Sequence, residues 1–214
     1  TGVQTCALPI LNGNRLAAAD AHIFQGLQLL TGLTSLGLRN CHLALLPPQL
    51  SCLVALAELG LGGNLELAPF LAGSAAGSDQ PEQLRRSNWQ PLVSLANSLT
   101  SLDMRLCGLT SLPNDFSRLS ALRSLDLGEN WGLGEPWGYG EYWGLDWGFI
   151  RYDALEPLSG LTSLEVLYLN GCQLKGVPPQ LMLLPALRGL CLACEEELEH
   201  SIGWQHLSEL SALR

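Results

Sequence analysis

The chain of 214 residues is poor in charge, since only 14% of its residues are Asp, Glu, Lys or Arg. Cations are scarcer than anions: 11 Lys and Arg stand against 20 Asp and Glu, for a formal net charge of −9. The few cations are scattered and form no basic stripe, which argues against a surface that binds nucleic acid. No apolar run approaches the roughly 18–20 residues of a membrane span, so we expect no membrane partner.

Signatures of catalysis are absent as well. The chain has no G-x-x-x-x-G-K-S/T phosphate loop, no H-E-x-x-H zinc pair and no G-x-S-x-G serine elbow. None of its asparagines lies in an N-x-S/T glycosylation site, which disfavours a glycosylated extracellular domain. The sequence therefore predicts a protein that is not an enzyme, uses no cofactor and takes no small-molecule substrate.

Leucine is abundant, and it recurs at fixed spacing. The pattern L-x-x-L-x-L-x-x-(C/N) occurs twice within 99–130, at Leu99, Leu102, Met104 and Cys107 and again at Leu122, Leu125, Leu127 and Asn130. Apolar residues that alternate with variable ones have the period of a strand. One such strand cannot bury its leucines alone, so copies must stack. The pattern is identified as the leucine-rich-repeat signature, which implies an α/β solenoid with one parallel sheet on its concave face.

A single residue marks the turn that follows each strand. These turn residues are Asn14, Cys41, Asn64, Cys107, Asn130, Cys172 and Glu195. The strand leucines that move in step with them are Leu36, Leu59, Leu102, Leu125, Leu167 and Leu190, with spacings of 23, 43, 23, 42 and 23 by subtraction. An Asn amide can donate and accept hydrogen bonds, whereas Cys is small and a weak donor. We therefore interpret both as a packing ladder and not as ligands, although Glu195 departs from the pattern.

The repeats predict one continuous solenoid over 11–214, truncated at both ends. Residues 1–10, TGVQTCALPI, do not fit the repeat and resemble the translated remnant of a sequencing adapter, so we treat them as a non-native scar. Two of the longer repeats carry insertions near 68–84 and 134–150, and insertions in solenoids form loops. The first is rich in small and polar residues, and the second is rich in Trp-Gly pairs.

Three features indicate an intracellular protein. Cys41, Cys107 and Cys172 occupy equivalent positions in separate two-repeat units, which places them too far apart for disulfides. No paired-cysteine cap is seen. The turns CHLALLPPQL and CQLKGVPPQL resemble those of the intracellular leucine-rich repeats of Ras-associated scaffolds and their plant relatives. The resemblance implies a cytoplasmic location.

The concave face is the first candidate binding surface, because leucine-rich-repeat proteins commonly bind partner proteins there. Strand alternation exposes a row of charged and aromatic side chains: Arg39, Glu58, Asp103, Arg105, Asp126 and Tyr168. The alternative is a merely solvated sheet with charge pairs between its strands.

The second candidate is the 134–150 insertion, where Trp137 and Trp143 could anchor a partner. Two alternatives stand beside it. The tryptophans could fold back over the flank of the solenoid, or, being next to glycine, they resemble the hooks that dock into Argonaute proteins. We expect the sheet to matter more, because it is preformed whereas a loop must be ordered on binding.

A third group, Cys191-x-x-Cys194 with His200 and His206, has the residue types of a zinc site. The five residues between Cys194 and His200 are fewer than the usual 12 to 15 or so, and Cys191 falls on the exposed side of a strand. Nothing supplies an oxyanion hole for a Cys–His nucleophile pair either. We predict no metal site and no catalytic residue here.

Together these features predict a non-catalytic scaffold that binds a protein partner through the concave sheet. Two alternatives remain open. The chain could be the recognition arm of a larger enzyme or immune-type receptor, or a structural segment of a cytoskeletal or axonemal assembly.

Overall fold

The computed structural model of the chain describes residues 11–16, 24–67, 89–133, 153–174 and 176–192. The proposed scar and both insertions lie outside these ranges. Several residues discussed above also lie outside them: Trp137, Trp143, Cys194, Glu195, His200 and His206.

Six short strands form one parallel sheet whose spatial order follows the sequence. They are β1 (Ser35–Gly37), β2 (Glu58–Gly60), β3 (Ser101–Asp103), β4 (Ser124–Asp126), β5 (Val166–Tyr168) and β6 (Gly189–Cys191). Each strand leucine is the register partner of the next, from Leu36 and Leu59 at one end to Leu167 and Leu190 at the other. The predicted sheet is confirmed. With about 4.8 Å between strands, it is roughly 25 Å long.

Short 3₁₀ helices return the chain from one strand to the next. Their bounds are Leu27–Leu29, Pro48–Cys52, Leu65–Leu67, Asn114–Arg118, Trp131–Leu133, Asp153–Gly160 and Pro179–Leu183, and residues 89–93 are α-helical. Pro48 and Pro179 begin two of these helices, where the fixed φ of proline suits the first position and its missing N–H is not needed. Side chains three apart in a 3₁₀ helix share one face, so Leu50 and Leu53 are both fully buried.

One continuous core runs between the sheet and the helices. Leu36, Leu59, Leu102, Leu125 and Leu167 are each at most 2% exposed, while Leu190 on the last described strand is half-buried. Among the return segments, Trp89 packs edge-on against Phe116, with ring centroids 5.6 Å apart and planes 88° apart.

Asn64 and Asn130 of the ladder are fully buried and hydrogen-bonded to the preceding repeat, whereas Asn14 at the start of the described residues is exposed. The Oδ1 atom of Asn64 accepts hydrogen bonds from the N–H groups of Cys41 at 2.9 Å and Leu43 at 3.1 Å. Its Nδ2 donates to the carbonyl oxygen of Leu38 at 2.9 Å. Asn130 makes the equivalent bonds one two-repeat unit later. Each buried amide thus satisfies backbone groups that would otherwise be unpaired.

The cysteines of the ladder act as neutral thiol donors. Their Sγ atoms donate to carbonyl oxygens of the preceding repeat: Cys41 to Leu11 at 3.1 Å, Cys107 to Leu61 at 3.4 Å and Cys172 to Leu127 at 3.2 Å. Burial raises the pKa of Cys107 to about 12, although the nearby N–H groups of Asn64 and Gly63 lower it. No disulfide joins the cysteines of the described ranges. The geometry confirms the ladder interpretation for Asn and Cys alike.

In the described repeats, the residue before every ladder residue has a left-handed backbone conformation. These residues have φ between 53° and 77°: Gly13, Asn40, Gly63, Leu106, Glu129 and Gly171. The Cys-type repeats have a second one directly after the cysteine: His42, Gly108 and Gln173. At Gly63 the left-handed backbone favours glycine, and a Cβ would lie 2.0 Å from Oδ1 of Asn40, whose exposed side chain would have to move.

Candidate functional site

The concave face is built by the outward positions of the six strands and the residues that follow them. Because side chains alternate along a strand, each buried leucine has one outward neighbour on either side. The structure places all six of the candidate concave residues on this face. Arg39, Glu58, Arg105 and Tyr168 are exposed, and Asp103 and Asp126 are half-buried.

An ion pair between Arg39 and Asp103 spans a whole repeat. The Nε atom of Arg39, which follows β1, reaches over β2 to the carboxylate of Asp103 on β3. Glycine in the intervening repeat leaves the room: a Cβ on Gly60 would lie 3.3 Å from Nε of Arg39, and one on Gly62 would lie 3.0 Å from Oδ1 of Asp103. The N–H of Arg105 donates to the same Oδ1 at 2.9 Å. Asp103 is therefore held in place from two sides.

A second ion pair joins Arg105 to Glu129, which lies in the turn after β4. The hydrogen bond that Arg105 donates to Glu129 and the negative charge of Glu129 raise the pKa of Arg105 further above its already high value. Sequence reasoning did not select Glu129, because it follows the strand at a position where only the turn geometry directs a side chain toward the sheet. Its separation of 24 residues from Arg105, close to one repeat, was the available signal.

Two carboxylates on the face have no arginine of their own. Glu58 on β2 is exposed and makes no ion pair with any described residue. Asp126 on β4 accepts a hydrogen bond from the N–H of Gly128 at 2.9 Å. Burial raises the pKa of Asp126; the hydrogen bond from Gly128 lowers it, the charge of Asp103 raises it, and Arg105 and Arg39 lower it. Since both arginines are already paired, the face keeps an excess of negative charge.

A shallow polar hollow of about 220 Å³ lies over β1, β2 and β3. Small residues form its floor, and charged or amide side chains form its rim: Asn12, Ser35, Gly37, Arg39, Glu58, Gly60, Ser101 and Asp103. Oδ1 of Asn12 accepts a hydrogen bond from the N–H of Arg39 at 2.7 Å. Asn12 is, after Glu129, the second residue of this face that could not be selected from the sequence, because it precedes the first complete repeat.

Tyr168 is the aromatic residue at the described outward positions, and its side chain is 40% exposed. It is the register partner of Asp126 on one side and of Cys191 on the other. An exposed tyrosine beside a half-buried carboxylate combines an apolar ring face with negative charge, a pairing that suits contact with a partner protein.

The other two candidate sites are only partly described. Trp131, which directly precedes the second insertion region, is 59% exposed, whereas Trp137 and Trp143 lie outside the described ranges. Cys191 is half-buried, and its possible co-ligands also lie outside them. Within the part of the chain that the structure describes, no three His, Cys, Asp or Glu residues group as metal ligands. None of the helices described combines the length and apolar character needed to cross a bilayer.

Comparison with known proteins identifies the repeat. The family model described as Leucine Rich Repeat matches residues 98–119 and 163–184. A leucine-rich-repeat protein of Leptospira interrogans is 23% identical over 89% of this chain, with a TM-score of 0.61, and the match spans 38% of that protein. Internalin C2 of Listeria monocytogenes is 20% identical over 88% of this chain and 72% of its own, with a TM-score of 0.49. No curated protein matches the sequence. At its identity of 23% the Leptospira structure supports the fold alone.

Proposed function

Because the chain is a leucine-rich-repeat protein, we propose that it is a non-catalytic scaffold that binds a protein partner through its concave sheet. Stacked repeats create extended concave surfaces, and such surfaces suit contact with another protein. The observation that carries the proposal is the arrangement on that face, where two ion pairs share the sheet with an exposed carboxylate, Glu58, and an exposed tyrosine, Tyr168.

The ion pairs involve both arginines of the face. Arg39 contacts Asp103 and Arg105 contacts Glu129, while the side chains of both arginines remain more than half exposed. Exposed ion pairs are weak, so the arginines can rearrange when a partner docks. The exposed Glu58 and Tyr168 are the groups of this face that a partner meets first.

The test compares two substitutions that leave the ion pairs intact. Glu58→Lys combined with Tyr168→Ala changes charge and shape on the concave face, and both side chains are exposed. Asp103→Lys would be a poorer choice, because it would break the pair with Arg39. The matched control is Glu156→Lys, the same charge change on the exposed surface of the 3₁₀ helix Asp153–Gly160.

Each protein is used to capture partners from a cell lysate, and the captured proteins are quantified by mass spectrometry. We expect proteins retained by the unmodified chain and by Glu156→Lys to fall at least about tenfold with the double variant, as when two interface contacts of about 1 kcal/mol each are lost. Equal retention by all three proteins would contradict binding through this face. Circular dichroism verifies that each variant is folded.

A second candidate surface is the Trp-Gly insertion, which the exposure of Trp131 favours. Trp and Tyr are common anchors of interfaces, and Trp137 and Trp143 would add to such a surface. Deletion of 134–148 tests it in the same capture experiment. Partners lost with the deletion and kept by the Glu58→Lys, Tyr168→Ala variant would place binding in the insertion instead.

The ladder thiols support an intracellular, cytoplasmic location for this scaffold. Cys41 and Cys107 serve as hydrogen-bond donors, which requires the reduced form, and reducing compartments maintain thiols in that form. Microscopy of a fluorescent fusion in the source cells tests this location. Cytoplasmic fluorescence is expected, and accumulation of the fusion in the medium would contradict it.

A further inference from the structure

We propose that the segment bound on the concave sheet is an extended chain with two basic residues four positions apart, one for Glu58 and one for Asp126 and Tyr168. This inference rests on the proposed function and adds the chemistry of the partner.

The first argument is the local balance of charge. Both arginines of the face are held by carboxylates, Arg39 by Asp103 and Arg105 by Glu129. Glu58 has no such partner among the described residues. Asp126 receives a backbone N–H but no arginine in direct contact. A cation brought by the partner would supply what these two carboxylates lack.

The remaining cations of this region lie at a border of the sheet. Arg123 precedes β4 and pairs with Glu165 across the start of β5, with 2.7 Å between Nη1 and Oε1. Arg188 precedes β6 and is exposed. Basic groups thus flank the starts of β4 to β6, while the carboxylates without arginine lie on β2 and in β4. Because Arg123 is paired, Arg188 is the cation of this border that repels a basic segment, while the carboxylates without arginine attract it to the middle of the sheet.

The spacing follows from the register. Glu58 aligns with Ser101 and, through it, with Ser124, so Asp126 lies two strands away and two residues further along. Two strand intervals of about 4.8 Å and two residues of about 3.3 Å place the two Cα atoms about 12 Å apart. An extended chain advances about 3.3 Å per residue, so four residues cover this distance and place both side chains on the same face of the chain.

The two ends of this path offer different surroundings. Glu58 lines the 220 Å³ hollow together with Ser35 and Ser101, next to the Arg39 side chain that passes over Gly60. Asp126 stands beside the exposed ring of Tyr168. A guanidinium stacked on a tyrosine ring and paired with a carboxylate gains from both contacts. Arginine suits the second position better than lysine for this reason.

The test uses three fluorescein-labelled peptides of nine residues built from serine, glycine and two charged residues. The first carries arginines four positions apart, the second carries adjacent arginines, and the third carries glutamates in place of the spaced arginines. Binding to the whole chain is measured by fluorescence anisotropy at low ionic strength, where exposed charges are least screened. We expect the spaced arginine peptide to bind at least about threefold more tightly than the adjacent one, and the glutamate peptide not to bind.

Substitutions then locate the contact. Glu58→Gln and Asp126→Asn should each weaken the spaced arginine peptide about threefold, within the range of exposed ion pairs. Tyr168→Leu should weaken it by a similar factor through the lost cation–π contact. The control Glu156→Gln, which removes the same charge elsewhere, should leave the affinity unchanged. An equal loss with this control would show diffuse attraction and overturn the inference.

The outcomes separate this inference from the proposed function. If the spaced arginine peptide does not bind, while the Glu58→Lys, Tyr168→Ala variant still loses its captured proteins, the scaffold function stands and the basic segment is wrong. If captured proteins are also unaffected, both are wrong. Binding of the glutamate peptide as tightly as the spaced arginine peptide would likewise refute the basic segment.

Discussion

The side chain of Asn130 closes the turn that contains Cys107 in the preceding repeat. Its Oδ1 accepts hydrogen bonds from the N–H groups of Cys107 and Leu109, each at 3.0 Å, and its Nδ2 donates to the carbonyl oxygen of Met104 at 2.9 Å. Cys107 returns only a thiol donor, directed to the repeat before its own. The two residue types of the ladder are therefore unequal, and the asparagine supplies more side-chain hydrogen bonds between neighbouring turns than the cysteine does.

Removal of the Asn130 amide should be among the most damaging polar substitutions in the chain. Asn130→Ala leaves buried N–H and C=O groups of the preceding repeat without partners, and each such group costs about 1–3 kcal/mol. We expect the free energy of unfolding to fall by at least about 3 kcal/mol in urea melts. Cys107→Ala should cost about 1 kcal/mol, since it removes a weak donor and little volume. A larger loss with Cys107→Ala would contradict the unequal roles.

The strand phase can be tested with neighbouring residues of β4. Leu125 is fully buried, so Leu125→Ala should lower the free energy of unfolding by about 2–5 kcal/mol. Asp126 faces outward, and the partial burial of its carboxylate is unfavourable for the charged form. Asp126→Ala should therefore change the free energy of unfolding by less than about 0.5 kcal/mol. Urea melts of both variants make the comparison. The reverse order would mean that the strand faces the other way.

Asp126 should also make stability depend on pH in a defined direction. Burial raises its folded-state pKa above the unfolded value, so the native state binds more protons in the window between the two. Stability from this group is therefore greatest below the unfolded pKa near 3.8 and falls as the pH rises through the folded pKa. Asparagine has no carboxyl group to ionise, so the Asp126→Asn variant does not show this loss of stability with rising pH. Its free energy of unfolding should therefore rise relative to that of the unmodified chain between pH 4 and pH 7. A constant difference across that range would contradict the raised pKa.

The residue before each ladder residue has a left-handed backbone, so glycine at this position should not lower stability. A larger side chain should lower it where a neighbouring group would have to move. Gly63→Ala places a Cβ 2.0 Å from Oδ1 of Asn40 at φ +76°, and we expect a loss of about 1–3 kcal/mol in thermal melts. Gln173 is exposed and adopts φ +57°, so Gln173→Gly should be neutral or stabilise by up to about 1 kcal/mol. Equal effects of the two substitutions would refute this explanation.

The sheet could be predicted because its information is local and repeated. Leu102 and Leu125 recur in the same short pattern and are both buried. A shift of either strand by one residue would move its leucine from the core to the solvent-exposed face, so the pattern fixes the strand register. The same repetition revealed the ladder, since Asn64 and Asn130 occupy the same place in successive two-repeat units.

The pairing of charges on the face could not be predicted in the same way. Arg39 and Asp103 are 64 residues apart, and their contact depends on the absence of side chains at Gly60 and Gly62 between them. Sequence alternation showed that these side chains point outward but not how far each one reaches. Glu129 was missed for a related reason, because its left-handed backbone, not a strand period, directs it toward Arg105.

Site-specific cross-linking tests most directly the central claim that a protein partner docks on the concave sheet. A photoreactive benzoylphenylalanine replaces Tyr168 on that face, or Glu156 on the helical surface in a matched control, and both proteins are irradiated with the captured partners present. The account predicts a covalent partner adduct from position 168 and none from position 156. An adduct that forms from position 156 and not from position 168 would contradict it.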